Sequence, residues 1–346
     1  MTKEQKDSLF SLIKSLTKSE KRQFKLYVGR LGVNADSKFL NLFNVLDKSK
    51  GYDEKVILKS TDINKRQLAN VKAHLYKQVL ISLKLNPAHQ NIRSQIREQL
   101  DFASILYHKG LYNQGLKILD KAKEVAINNE EKNLAYEIVE LEKVIESQYI
   151  TRSISNRADQ LSIQAKELSA ANVLTSKLSN LSLQLYGLLL KTGYVKDEEE
   201  SKQVTEYFNA RLPKYDIADL GFREKLWLYK AYLWYGFLMQ DFLSCYKYAS
   251  KWVDLFHEHP NMIQLNPVFF LKGNNYLLES LFFLRQKKKF DKRLLQLEEI
   301  VTQSDFPQNE NVASLVFLYV NLNKVNAFFI DGSFADGLHL IPQIEK

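Results

Sequence analysis

The chain has one cysteine, Cys245, among 346 residues, so no disulfide can form within it. Glycine and proline are scarce as well, with 12 and 6 residues, together about 5% of the chain where average usage is near 12%. That shortage excludes collagen-like and disulfide-framework architectures. It excludes most all-β ones too, because such folds use glycine and proline in frequent turns. A membrane-spanning run of ~18 apolar residues is also missing. The richest stretch, Leu181 to Leu190, is too short, with Lys177 and Lys191 on either side. The first residues, MTKEQKDSLF, contain neither an apolar core nor a small-residue cleavage site of the secretory type. A soluble, cytoplasmic protein with no membrane partner is the expectation.

Apolar side chains are abundant. A hydrophobic fraction of 45%, with 3 Trp, 18 Tyr and 20 Phe, gives enough apolar surface to offset chain entropy, so disorder is excluded. The length suits two domains or one extended repeat array. The formal charge is +9, but it is unevenly placed. Residues 1–90 hold 18 Lys+Arg against 8 Asp+Glu, a balance of +10, and the remainder hold 31 against 32, a balance of −1. Two parts with different partners are expected from this split.

Helical periodicity runs through nearly every segment. Leu9, Leu12, Ile13 and Leu16 recur at spacings of three and four, which is one face of a helix. Ser19 reads as the cap of a second helix carrying Phe24, Tyr27, Val28 and Leu31, broken at Gly29–Gly32. A third carries Phe39, Leu40, Phe43 and Leu46 and ends at Gly51 as a C′ glycine. A short helix, Glu54 to Lys59, leads through residues 61–64 into a longer one with Leu68, Val71, Leu75, Val79 and Leu83. Asn86-Pro87-Ala88-His89 reads as a linker. Beyond it, helices of about 15–20 residues alternate with short polar turns. Pro213, Pro260, Pro267 and Pro307 fall between them, while Pro342 should kink or shorten the last. No segment alternates as a strand does. The fold class is all-α: a basic helical domain over 1–86, then an α-hairpin array over 91–346.

A repeat is visible in that array. Gly110-Leu111-Tyr112-Asn113-Gln114-Gly115-Leu116, followed by Leu119 and Ala122, matches Gly332-Ser333-Phe334-Ala335-Asp336-Gly337-Leu338, followed by Ile341 and Ile344. Weaker copies centre on Phe242 (with Cys245, Ala249 and Trp252) and on Phe290 (with Leu297 and Ile300), and a degenerate one on Tyr194. Physically this is a helical hairpin. The first glycine permits a left-handed turn, the aromatic plugs the space beneath it, and a small residue (Gly115, Cys245, Gly337) lets two helices approach. The pattern resembles the tetratricopeptide repeat over roughly residues 95–346. Phe102, Ala103, Leu106, Gly110, Tyr112, Gly115, Leu119 and Ala122 fall on that family's packing positions. The resemblance implies a right-handed α-solenoid whose groove binds a protein or peptide. The anchors 112, 194, 242, 290 and 334 lie 82, 48, 48 and 44 residues apart, not at multiples of the family's ~34. Longer helices are therefore expected, with one further hairpin at about 131–170, and the small residue is lost at Asp197 and Arg293. No polar capping helix follows the last signature, which leaves Ile341 and Ile344 to pack on a partner or on a continuing array.

Catalytic and metal chemistry have no pattern here, so neither a cofactor nor enzymatic activity is expected. Cys245 reads as a small core hydrophobe rather than a nucleophile. His257-Glu258-His259 has i, i+2 spacing, which does not put both rings on one helix face. His74, His89, His108 and His339 stand alone. Asp197 to Glu200 reads as a charge run on an exposed loop. The aromatics from Phe222 to Phe256 cover more of the helix circumference than one buried stripe needs. Most should be core, and the rest should line a neighbouring hairpin or the groove.

Two functions follow. The first is a non-enzymatic scaffold binding a peptide or protein in the groove. The alternative is a transcriptional regulator with a helix-turn-helix over 54–85. Its recognition helix would offer Asn64, Lys65, Arg66, Gln67 and Asn70 to bases or phosphates, with Lys18, Lys21, Arg22 and Lys25 adding phosphate contacts. An acidic protein would suit the same basic segment.

Overall fold

The computed structural model describes residues 7–30, 38–86, 91–148 and 156–344. They form seventeen α-helices, and no strand occurs among the described residues. The chain divides into two compact units, Met1–Gln95 and Ile96–Lys346.

The first unit holds α1 (Ser8–Ser15), α2 (Lys18–Arg30), α3 (Lys38–Lys48), α4 (Glu54–Ser60) and α5 (Lys65–Lys84). α3 packs on α1, α4 and α5, and α5 also packs on α1 and α2. Their apolar stripes meet at Leu9, Ile13, Phe24, Leu42, Phe43, Leu46, Ile57 and Leu75, all buried, with the Phe24 and Phe43 rings 4.6 Å apart. Each start has a local cause. Asp7 accepts from Phe10 N at 3.0 Å, and Asp53 accepts from Lys55 N at 2.8 Å. α2 starts one residue before Ser19, because Thr17 is the cap. Thr17 N donates to Glu20 Oε2 at 2.6 Å and Glu20 N donates to Thr17 Oγ1 at 3.3 Å, a reciprocal capping box. Gly29 lies within α2 rather than at a break, and Gly32 lies outside the described residues. α3 ends at Lys48, and Gly51 is not left-handed, so it is not the C′ residue expected of it. Of the linker only Asn86 is described; Pro87, Ala88 and His89 are not.

The second unit runs α6 (Ile92–His108), α7 (Tyr112–Asn128), α8 (Lys132–Gln148), α9 (Arg157–Thr192), α10 (Glu198–Arg211), α11 (Phe222–Leu238), α12 (Phe242–Glu258), α13 (Asn261–Leu265), α14 (Pro267–Phe283), α15 (Lys287–Val301), α16 (Glu310–Asp331) and α17 (Phe334–Ile344). The first turn of α6 belongs to the preceding unit. Helices pack in chain order: α7 on α8, α8 on α9, α9 on α11, α11 on α12, α12 on α14, then α14, α15 and α16 together, with α17 on α16. The core centres on Trp252, Phe256, Phe270 and Phe290, all fully buried. The expected hairpin near 131–170 is α8 with α9, but α9 runs on for 36 residues. Nothing stops it: no proline intervenes, and its one glycine, Gly187, stays helical. Pro342 does not end α17, which continues to Ile344. Pro267 opens α14 at a position where its missing N–H costs nothing.

Ion pairs tie the early helices together. Glu142, fully buried on α8, takes Lys123 Nζ at 2.6 Å and Arg157 Nη2 at 3.2 Å. Burial pushes its carboxyl up, against the downward pull of both cations. Further on, Lys132 Nζ meets Glu224 at 3.0 Å and Arg223 Nη2 meets Glu131 at 2.6 Å, joining α8 to the start of α11.

Candidate functional site

In the first unit the four-residue turn 61–64 delivers α5 with its first turn exposed. Two of the five candidate contacts are spent on the fold. Asn64 Oδ1 accepts from Gln67 N at 3.1 Å as the helix cap, and Gln67 Oε1 accepts from Lys38 Nζ at 3.0 Å. Lys65, Arg66 and Asn70 remain exposed. The α2 cations Lys18, Lys21, Arg22 and Lys25 gather around an open hollow beside Asp47, which pairs with Lys21 at 2.8 Å. The two basic groups sit at opposite ends of α3. Lys38, in its first turn, reaches α5, while Asp47, in its last, reaches α2. At 1.5 Å per residue those ends lie about 14 Å apart.

The repeat signature is written in the backbone of the second unit more regularly than in its sequence. Five turns carry one residue at positive φ, and the residue after it donates its N–H to the carbonyl five back. The left-handed residues are Gly110, Glu130, Gln240, Arg285 and Gly332. The bonds run from Leu111 to Leu106, Glu131 to Ala126, Asp241 to Gly236, Gln286 to Leu281 and Ser333 to Phe328, at 2.8 to 3.1 Å. This is the Schellman closure of a helix. Two of the small positions lie at close helix contacts. A Cβ on Gly115 would lie 3.3 Å from Ala103 O, and one on Gly337 would lie 3.3 Å from Phe328 Cβ. Ala122 and Cys245 are buried, and Cys245 packs against a second small residue that the pattern missed, Gly236.

The aromatic anchors divide. Phe290 is buried, and Tyr112 and Phe242 are half-buried, but Phe334 is 56% exposed and plugs nothing. Its ring lies 5.3 Å from that of the equally exposed Phe329. Phe102, assigned a packing position, is also exposed. The side chain of Ile341 lies outside the described residues, and Ile344 is half-buried. α16 exposes Phe317, Leu318 and Leu322 as well. Among the described residues it, rather than Leu181 to Leu190, is the helix long and apolar enough to cross a membrane by length and composition. Asp197 to Glu200 is not a loop. Asp197 accepts from Glu200 N at 2.9 Å, and three glutamates fill the first turn of α10, where the helix dipole favours them.

Half of the aromatic run is buried core, namely Phe222, Tyr229, Trp234, Phe237, Trp252 and Phe256, and the other half is part-buried. Of the part-buried ones, Trp227 lines a cavity. Helices α9, α11 and α14 bring Tyr186, Trp227, Trp234 and Tyr276 around this cavity, of about 220 Å³. Trp234 is the hinge of this wall, with its ring 4.6 Å from Tyr186 and 5.1 Å from Tyr276. Two lysines enter the same cavity. Lys230 lies over the Trp227 ring at 4.5 Å and Lys272 comes from α14. Burial, then the neighbouring Lys272, lowers Lys230 to about 8. Neither lysine was singled out from the sequence. The available signal was a cation in the middle of the aromatic run, at Trp227-Leu228-Tyr229-Lys230-Ala231-Tyr232.

Cys245 is fully buried and its thiol is pushed up to about 12, first by burial and then by Asp241 and Glu279. No group of three metal-ligating side chains occurs among the described residues. The His257 and His259 rings face Phe270 and Phe222 respectively, edge-on. Comparison with protein families, with curated proteins and with solved structures finds no match.

Proposed function

We propose that the chain is a non-enzymatic scaffold of the tetratricopeptide-like, right-handed α-solenoid type, binding a peptide or protein across α9, α11 and α14. One observation supports this reading above the rest: α9, α11 and α14, well separated in the chain, contribute aromatic and polar side chains to one cavity. Trp and Tyr are among the side chains that most often anchor an interface. The test is selection from a random peptide library against the full chain. Enriched peptides whose binding is lost in Tyr186→Ala and Trp227→Ala support the reading. Failure of any peptide to enrich, or binding indifferent to both substitutions, overturns it.

A transcriptional regulator is the second reading, favoured by the exposure of Lys65, Arg66 and Asn70 on the first turn of α5. The full chain would bind duplex DNA with an affinity that falls steeply with salt. Lys65→Ala with Arg66→Ala would weaken it and flatten that slope, and unaltered binding sinks this assignment.

A further inference from the structure

The cavity between α9, α11 and α14 is built for more than a peptide's apolar side chain. Its charge is one-sided. Lys230 and Lys272 both line it, no acidic residue does, and among the described residues neither ammonium has a carboxylate or hydrogen-bond partner. Glu279, the other charged residue of α14, does not line it. The lowered lysine shows what this costs the fold: with no counter-charge, burial and mutual repulsion both oppose the second proton.

The neutral polar groups point the same way. Trp234 is 6% exposed and Ser182 is fully buried. Both line the cavity, yet Trp234 Nε1 and Ser182 Oγ have no hydrogen-bond partner. Buried polar atoms are almost always paired. An indole N–H is a donor only, an ammonium offers three donors, and a hydroxyl supplies one more. The site therefore gathers two positive charges with no carboxylate in its lining. Around them stand flat aromatic faces: Trp227 beneath Lys230, and Tyr186 and Tyr276 flanking Trp234.

The geometry points to a binding site for an aryl phosphate monoester, its phosphoryl oxygens between Lys230 and Lys272 and its ring against the aromatic wall. Charge separates this ligand from a carboxylate. Two uncompensated ammonium groups call for about two negative charges, which a phosphate monoester carries near pH 7 and a carboxylate does not. Three phosphoryl oxygens also offer more acceptors to the two ammonium groups. Size limits what enters the cavity itself. A volume of about 220 Å³ is below the roughly 300–1,000 Å³ of sites for drug-sized ligands, so one ring and one phosphoryl group suit it. The inference rests on the groove reading for its location only, since the occupant follows from charge and donors.

The experiment is a titration of the full chain with phenyl phosphate, followed by calorimetry or by the fluorescence of Trp227 and Trp234. Saturable one-to-one binding is expected. Lys230→Met and Lys272→Met should each weaken it by at least about tenfold, as loss of a charge-assisted hydrogen bond requires. Both variants should keep the wild-type circular dichroism, since each removes an unpaired charge. Benzoate and phenyl sulfate, which carry one charge, should bind at least about tenfold more weakly. Phosphotyrosine and a phosphotyrosyl peptide then separate the sources: equal affinity assigns a small free ester, and tighter peptide binding assigns a phosphorylated partner in the groove. No saturation at about 10 mM phenyl phosphate overturns the inference. So does binding unchanged in the two methionine variants, or benzoate binding as well as phenyl phosphate. The peptide selection above is read separately, so either idea can fail without the other.

Discussion

Lys230 should weaken the fold it sits in. Its value is lowered to about 8, whereas an unfolded lysine titrates near 10.4. Between those pH values the unfolded chain keeps a proton that the folded chain has released, so this residue's contribution makes stability rise with pH across that window. Below about 8 the burial penalty is present in full. Lys230→Met keeps the apolar stem and removes the charge, so it should stabilise the chain at pH 7 by about 1–2 kcal/mol once solvent screening is allowed for. Urea denaturation at pH 7 and pH 10 checks this, and the gain should shrink at the higher pH. A variant no more stable than wild type would mean that the ammonium already reaches water. Cys245 makes the opposite case. With its thiol at about 12 and no exposure, it should resist alkylation in the native chain and react only on denaturation. Iodoacetamide labelling followed by mass spectrometry reads this directly.

At the scale of the helix, close packing is set by glycines that a pattern search passes over. Gly273 on α14 lies under the fully buried indole of Trp252, where an added Cβ would sit 2.9 Å from Cδ1 and Nε1. Neither the ring nor the backbone can yield cheaply. Gly273→Ala should therefore destabilise by about 1–3 kcal/mol, the usual result of overpacking, despite alanine's better helix propensity. Gly187, with nothing within 4 Å of its absent Cβ, is the control: Gly187→Ala should stabilise α9 by about 0.5–1 kcal/mol. Thermal unfolding of the pair compares the two effects, and equal shifts would refute the close approach. The same contrast explains what could be read in advance. Two of the five Schellman turns have glycine in the left-handed place, at Gly110 and Gly332, and they were the clear copies of the repeat. Glu130, Gln240 and Arg285 accept that conformation without glycine, at a cost of about 1–2 kcal/mol each. Those three turns left little trace in the sequence. Tertiary packing, not local preference, holds them. The cavity was hidden for a related reason: Lys230 and Lys272 are 42 residues apart, and only the packing of α9, α11 and α14 brings them together.

For the whole molecule, the uneven charge and the uneven texture of the sequence correspond to two cores. The apolar cluster of the first unit runs from Leu9 to Leu83, and the largest cluster of the second runs from Leu181 to Ile330, with no residue shared. The all-α class was legible throughout, because periodicity of three and four depends only on which face is buried. The length of α9 was not, since a chain without a stop signal does not announce where its neighbours will need it to end. Separate cores have a thermodynamic consequence: unfolding need not be a single cooperative step. Leu42→Ala empties a fully buried site in the first core and Leu277→Ala does so in the second. Each should cost about 2–5 kcal/mol, but in its own transition only. Native-state hydrogen exchange resolves the two. In Leu42→Ala, amides of α3 and α5 should exchange faster while those of α12 and α14 keep their protection, and Leu277→Ala should give the reverse. A uniform loss of protection from either substitution would show that the two units fold as one, and that neither half's partner can be sought without the other half in place.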